Sequence, residues 1–209
     1  MSGRLSVKKL IPSSEFLVPA VIGALFFSTS QIVSAEEIAD ADKKIFDDAN
    51  EIQLEYLLGN SFNQRHVNNY NVHYFEKVTD NGVMSYWRGL TFTRAVGYTN
   101  PKKDGGVHHD SQGVGLGAAF MLRWDKKISG KFHAGADFTG SLMLYNKAHP
   151  YDGRAYGFLW RLGPRLTWQF REQDSFSVGY SVSHFSNGLR SHNPGYNTLG
   201  FSVGYTHQF

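Results

Sequence analysis

The stretch YGFLWRLGPRLTWQF, residues 156–170, separates into two unlike faces when alternate residues are taken apart. One face holds Phe158, Trp160, Leu162, Pro164, Leu166, Trp168 and Phe170. The other holds Gly157, Leu159, Arg161, Gly163, Arg165, Thr167 and Gln169. A period of two belongs to an extended strand, whose side chains leave alternately to opposite sides. The next stretch repeats it: Phe176, Val178, Tyr180 and Val182 alternate with Ser175, Ser177, Gly179, Ser181 and Ser183. In the last, Leu199, Phe201, Val203 and Tyr205 alternate with Gly200, Ser202, Gly204 and Thr206. Outward from there the pattern predicts eight strands: 51–58, 70–79, 84–98, 113–124, 131–145, 156–170, 175–186 and 197–209.

Alternation does not say which face points outward. A soluble lipocalin-like barrel puts the apolar face inside. Three features favour the inverse. The polar face is mostly glycine and serine, which suit the narrow interior of eight strands. The apolar face is bulky, with aromatics near strand ends like an interfacial girdle. The sequence also finishes a strand on Phe209, similar to the C-terminal signal of outer-membrane barrels. The fold class is therefore all-β, an eight-stranded antiparallel transmembrane β-barrel of the outer membrane over residues 51–209. Arg123, Asp137, Arg161 and Arg165 then point into the lumen as an ionic network, with His133 on the same polar face. Glu76, Arg88 and Arg94 fall on the lipid face, where charge is tolerated only near an interface.

Three connections are short (80–83, 125–130, 171–174) and four are longer (59–69, 99–112, 146–155, 187–196). They alternate, as short periplasmic turns and long external loops do. The N-terminus has Arg4, Lys8 and Lys9, then an apolar stretch from Phe16 to Phe27, then Val33 and Ala35 before Glu36. That is the grammar of a secretory signal peptide, so 1–35 is predicted to be one. An uncleaved anchor is the alternative, although the apolar stretch is shorter than the roughly 20 residues of a span. Residues 36–50 form an acidic periplasmic segment. A Gram-negative cell outer membrane is the expected location.

Composition narrows the chemistry. There is no cysteine, which removes disulfides, thiolate metal sites and a cysteine nucleophile. A net charge of +3 with no dense basic run gives no support for nucleic acid as a partner. No cofactor motif is present. His108-His109-Asp110 lacks a clear third ligand, so no metal site is assigned.

The informative run is 183–197, SHFSNGLRSHNPGYN. His184 and Ser186 lie two apart on a strand and leave the same, lipid-facing side as Val182. Asn197 shares parity with Leu199 and comes from the next strand. Three polar groups thus converge on an apolar face at outer-leaflet height. Histidine can activate a serine hydroxyl for acyl transfer when a third group fixes its tautomer. Oxyanion donors are available from Asn187 and from the backbone of Gly188 or Leu189. From residue types alone, a cluster that merely caps a strand and touches headgroups explains the run equally well.

The run His184-Phe185-Ser186-Asn187-Gly188, followed by Asn193-Pro194-Gly195, resembles the signature of the lipid A 3-O-deacylase (PagL-type) family. The resemblance implies an eight-stranded outer-membrane barrel and a serine esterase. It implies hydrolysis of the ester-linked 3-hydroxyacyl chain at position 3 of lipid A. His184 becomes the general base, Ser186 the nucleophile and Asn187 part of the oxyanion hole. The family's third member is a glutamate; the matching position here is Asn197, and no acid follows Asp174. A non-catalytic structural or adhesive barrel, or a degenerate deacylase, is the alternative. The implied partners are lipid A or lipopolysaccharide in the outer leaflet and membrane lipid, and a homodimer is left open. Lys102, Lys103, Lys147, Arg190 and His192 lie in external loops, as phosphate contacts or as solvated charges.

Overall fold

The computed structural model describes residues 49–59, 65–188 and 193–209. The expected signal peptide and the segment that follows it lie outside the described residues, except that Ala49 and Asn50 open the first strand. The strands are β1 (Ala49–Gly59), β2 (Arg65–Asp80), β3 (Met84–Thr99), β4 (His109–Asp110), β5 (Gly113–Ser129), β6 (Phe132–His149), β7 (Arg154–Gln169), β8 (Asp174–Ser186) and β9 (Tyr196–Gln208). The eight long ones pair antiparallel, each with its neighbour, and β1 pairs with β9 to close an eight-stranded barrel. β4 is a two-residue addition to the end of β3.

All eight expected strands are present, but several run further. β2 starts at Arg65 and β6 continues to His149. Most of the added residues are polar, and backbone pairing does not depend on side-chain hydropathy: Arg65 to Asn69 still pair with Thr99 to Ala95. One consequence is that β6 and β7 are joined by residues 150–153 alone, no more than the 170–173 turn at the other end. The expected strict alternation of short and long connections fails there. The 80–83 turn is as its residues suggest. Gly82 has φ of +82°, and the Asp80 and Asn81 side chains accept from the N–H groups of Gly82 (2.7 Å) and Met84 (2.8 Å).

Ile52, Leu54, Leu90, Leu142, Leu162, Val182 and Phe201 are exposed on the outer wall, and charges cluster within. An apolar belt around a closed barrel with a polar lumen is the transmembrane arrangement. It overturns the lipocalin-like alternative, which needs the opposite parity. On the wall toward the turn end, Arg88 donates to Glu76 at 3.2 Å.

Ionic groups and apolar clusters share the interior. Toward the turn end, Glu51 accepts from Arg123 (2.6 and 2.9 Å), Arg165 (3.1 and 3.2 Å) and Thr206 (2.7 Å). Asp137 accepts from Arg123 at 2.8 and 2.9 Å. Glu55 accepts from Arg161 (2.8 Å), Asn71 (2.7 Å) and Ser181 (3.0 Å). Buried charges persist only when paired and hydrogen-bonded like this. The turn-end cluster is Ala49, Phe75, Trp87, Ala119 and Met121. The loop-end cluster is Val67, Ala95, Met143, Tyr145, Leu159, Phe185 and Tyr196. Small residues and ions were expected to fill the lumen, and these bulky groups correct that. Glycines of the inner face serve as slots for them: a Cβ on Gly157 would lie 2.2 Å from the ring of Phe185.

Candidate functional site

β8 ends Ser183-His184-Phe185-Ser186, and its parity divides the four. Ser183 and Phe185 are buried inside, while His184 and Ser186 are partly exposed on the outer wall. At the start of β9, Tyr196 is buried and Asn197 is outward and exposed. The inward residues anchor the outward ones. Phe185 stacks on Tyr196 at 5.2 Å and meets Tyr145 edge-on at 5.4 Å. Tyr196 Oη lies 2.8 Å from His149 Nε2 and donates to Asn69 Oδ1 at 3.1 Å. A dense plug of aromatic rings therefore sits directly behind the backbone from which the site emerges. Close packing of this kind fixes side-chain exit vectors.

His184 and Asn197 face each other across the β8–β9 ladder. The distance from His184 Nδ1 to Asn197 Oδ1 is 2.6 Å. An amide oxygen only accepts, so Nδ1 carries the proton, and in the neutral ring Nε2 then presents a lone pair. On the other side, Trp160 opposes His184 and Phe158 opposes Ser186. The Trp160 ring centre lies 5.9 Å from the imidazole. No hydrogen bond joins Ser186 to His184 in this structure. Catalytic hydrogen bonds of empty sites are often long and tighten around substrate.

Two further residues shape the imidazole's surroundings. A Cβ on Gly195 would lie 3.2 Å from His184 Nε2 and 3.1 Å from Cε1, so the absent side chain keeps that edge of the ring open. The Gly195 carbonyl accepts from Arg65 Nη1. Neither contact is legible locally, because Arg65 is the first residue of β2 and the sequence places it within a loop.

Asn187 is turned away from the wall. It is fully buried, and its Nδ2 reaches the carbonyls of Tyr156 (2.6 Å), His149 (3.1 Å) and Arg154 (3.5 Å). Its own N–H donates to Asn193 Oδ1 at 2.9 Å. The residue after the candidate nucleophile thus ties β8 to the β6–β7 connection. Gly188 follows with φ of +44°, a conformation that favours glycine. Leu189, Arg190 and His192 lie outside the described residues. The last acid of the sequence, Asp174, is at the far end of β8, where it accepts from Tyr205 (2.6 Å) and pairs with His207 (2.8 Å).

The remaining candidates are engaged elsewhere. His108 stacks on Tyr98 at 4.1 Å, and His109 stacks on Tyr151 at 3.8 Å with Asp104 3.1 Å from its Nε2. No group of three or more potential metal-ligating His, Asp or Glu side chains gathers among the described residues. Lys147 donates to Asp110 at 2.8 Å, which holds that carboxyl below its ordinary pKa range. Lys103 pairs with Asp152, which raises the pKa of the lysine. These contacts clasp the 100–112 segment to the β6–β7 connection.

A search of curated protein sequences returned no match. Among solved structures, "Crystal structure of the outer membrane enzyme PagL" is similar with a TM-score of 0.54 at 14% identity, covering 76% of this chain and 99% of that one. "Crystal structure of Neisserial surface protein A (NspA)" aligns with a TM-score of 0.46 at 10% identity, covering 78% of this chain and 96% of that one. The first likeness supports the barrel fold. The family model described as "Lipid A 3-O-deacylase (PagL)" matches residues 53–206, nearly the whole barrel. This chain belongs to the lipid A 3-O-deacylase (PagL) family.

Proposed function

We propose that this protein is an outer-membrane lipid A deacylase, a serine esterase that removes the ester-linked 3-hydroxyacyl chain at position 3 of lipid A. One observation carries the proposal: His184, Ser186 and Asn197 meet on the apolar outer wall, with Asn197 Oδ1 2.6 Å from His184 Nδ1. An ester at the top of the outer leaflet reaches such a site without leaving the bilayer. A signal peptide over residues 1–35 supplies the route to that membrane.

In the proposed mechanism Asn197 fixes the imidazole tautomer. His184 Nε2 removes the Ser186 proton as Oγ attacks the ester carbonyl. The tetrahedral oxyanion is held by backbone N–H groups of Gly188 and Leu189. Asn187 contributes by locking the chain that presents them, since its side chain is bound to three carbonyls. Collapse expels the sugar oxygen, which takes the proton from His184, and water then releases the acyl chain by the same steps.

The second reading, a degenerate deacylase, is favoured by Asn197 itself. An asparagine orients the imidazole but places no charge beside the imidazolium that forms. In serine proteases the change from aspartate to asparagine lowers kcat by about 10⁴ by enforcing the wrong tautomer; here Asn197 Oδ1 holds the productive one, so the missing charge alone sets the deficit. Mass spectrometry of lipid A from cells expressing wild type and Ser186→Ala tests the proposal. Wild type is expected to yield lipid A lighter by one hydroxyacyl chain, and Ser186→Ala intact lipid A. Equal loss in both would remove Ser186 as nucleophile, and no loss in either would favour the degenerate reading.

A further inference from the structure

The outward face of β3 carries two arginines, and the structure treats them differently. Arg88 has a counter-charge: Glu76 accepts from its Nε and Nη2 at 3.2 Å, and Tyr74 Oη lies 3.3 Å from the same carboxylate. Arg94 lies six residues nearer the loop end on the same face of β3, is exposed, and has no acidic partner among the described residues. Its ladder neighbours are Tyr70 and Val114. A cation on an apolar wall without a counter-charge is unfavourable unless its surroundings supply one.

Beside Arg94 the wall is hollowed. An open trough of about 560 Å³ crosses β9, β1, β2 and β3 between two adjacent rows of outward side chains. The upper row is Phe201, Tyr56, Tyr70 and Arg94, linked by ladder pairs, and Leu54, Val72 and Phe92 belong to the lower. Apart from Arg94, the outward-facing lining residues are apolar or aromatic. Arg94 thus marks one end of a trough of width and chemistry suited to hydrocarbon chains.

The tilt of the strands sets the height of that end. The upper row climbs toward the loop end, since it continues through Val114 to Asn146 near the top of β6. With strands about 4.8 Å apart and tilted near 40°, three crossings raise the row by roughly 10 Å. Four residues along β9, from Phe201 to Asn197, climb about the same amount. Arg94 and Asn197 therefore stand at one level, on different sides of the barrel.

We propose that this trough is a second, non-catalytic lipid site, which takes a lipid A molecule with a phosphate on Arg94 and acyl chains against Tyr70, Val72 and Phe92. The choice of lipid A rests on the membrane placement proposed above, because Arg94 shares the leaflet of Ser186. Charge complementarity selects the phosphate, and the apolar lining selects the chains. The trough lies beyond β9 from the catalytic pair, which faces β7, so its occupant is separate from the ester being cut.

The test measures binding and needs no turnover. Full-length protein carrying Ser186→Ala, purified in detergent, is titrated with bis-phosphorylated lipid A and with lipid A stripped of phosphate, and stoichiometry is read by native mass spectrometry. Two lipid A molecules per barrel are expected. Adding Arg94→Gln is expected to weaken the second about tenfold, as loss of one charge-assisted contact would, and Arg94→Lys to preserve it. The proposal is overturned if Arg94→Gln binds as the parent does, or if dephosphorylated lipid A binds equally at the second site. Phosphatidylglycerol binding there with equal affinity and the same Arg94 dependence would overturn lipid A as the occupant. Heat-modifiable migration on gels confirms that each variant is folded. Failure of the deacylase proposal shows as wild-type inactivity, which this binding experiment does not read.

Discussion

The inside of the barrel and the site on its outer wall use neighbouring residues of the same strands for opposite ends. Inside, Arg123, Arg161 and Arg165 meet Glu51, Glu55 and Asp137, and every one of these charges is paired. Outside, His184, Ser186 and Asn197 carry no obligatory charge. Only parity separates the two sets: Arg161 adjoins Trp160, and Ser183 adjoins His184. The lumen tolerates charge because several strands deliver counter-charges to one point. The wall faces a medium that supplies few, so neutral polar groups are less costly there. The barrel has no shortage of acids, but those in the lumen lie on the far side of the strand backbones from His184.

Asn197→Glu breaks that division by placing a carboxylate outside. It should stabilise the imidazolium formed during attack, and the expected gain in deacylation is up to about 10³, short of the loss of about 10⁴ seen when a triad aspartate becomes asparagine, because that loss includes a wrong tautomer which Asn197 already avoids. The cost of the added charge near an interface is expected to be about 0–1 kcal/mol. Release of 3-hydroxyacyl chains from purified lipid A measures the gain. An inactive Asn197→Glu protein alongside inactive wild type would identify a barrel that has lost more than its acid.

Glu51→Ala tests the other side. It leaves Arg123 and Arg165 to share Asp137, and breaking a buried network in this way costs about 3–5 kcal/mol. Urea unfolding in lipid vesicles, followed by the heat-modifiable band, should show that loss. The rate per folded molecule should stay at the wild-type value, because the site is anchored by the aromatic plug and not by the ions. A collapse of kcat in folded Glu51→Ala would mean that the two regions are coupled through the strands.

Much of this arrangement was legible from alternation. Residues 156–170 and 175–186 declared their faces because bulky apolar side chains alternate with glycine, serine and arginine. The same rule placed His184, Ser186 and Asn197 on one surface. β1 could have been read further, since Glu51, Gln53 and Glu55 alternate with Ile52, Leu54 and Tyr56, yet the partners of those acids depend on barrel closure. The inward turn of Asn187 was not legible, because it depends on carbonyls about 30 to 40 residues away in the chain. Arg65 escaped for a related reason: it meets Gly195 across 130 residues, through strand register alone.

Gly195→Ala gives the smallest effect and the sharpest test of how the outer site is held. The inner ionic cluster is fixed by many mutual contacts, whereas the imidazole is fixed by one amide on Nδ1 and by the space that Gly195 leaves beside Nε2. A methyl group 3.2 Å from Nε2 must displace the ring or crowd the approach of Ser186. Displacement of a catalytic group by about 1 Å lowers rates by about 10². Gly195→Ala should therefore reduce kcat by about that factor. KM should be held, because Gly195 lies behind the imidazole and not on the wall where the lipid rests. A Cβ on Gly195 would also lie 2.6 Å from the Phe185 carbonyl, so the backbone between β8 and β9 must shift and a loss of barrel stability of about 1 kcal/mol is expected beside the kinetic effect. A fall in kcat together with a rise in KM would place Gly195 in contact with substrate, and full activity would mean that Ser186 reaches the imidazole from the opposite edge.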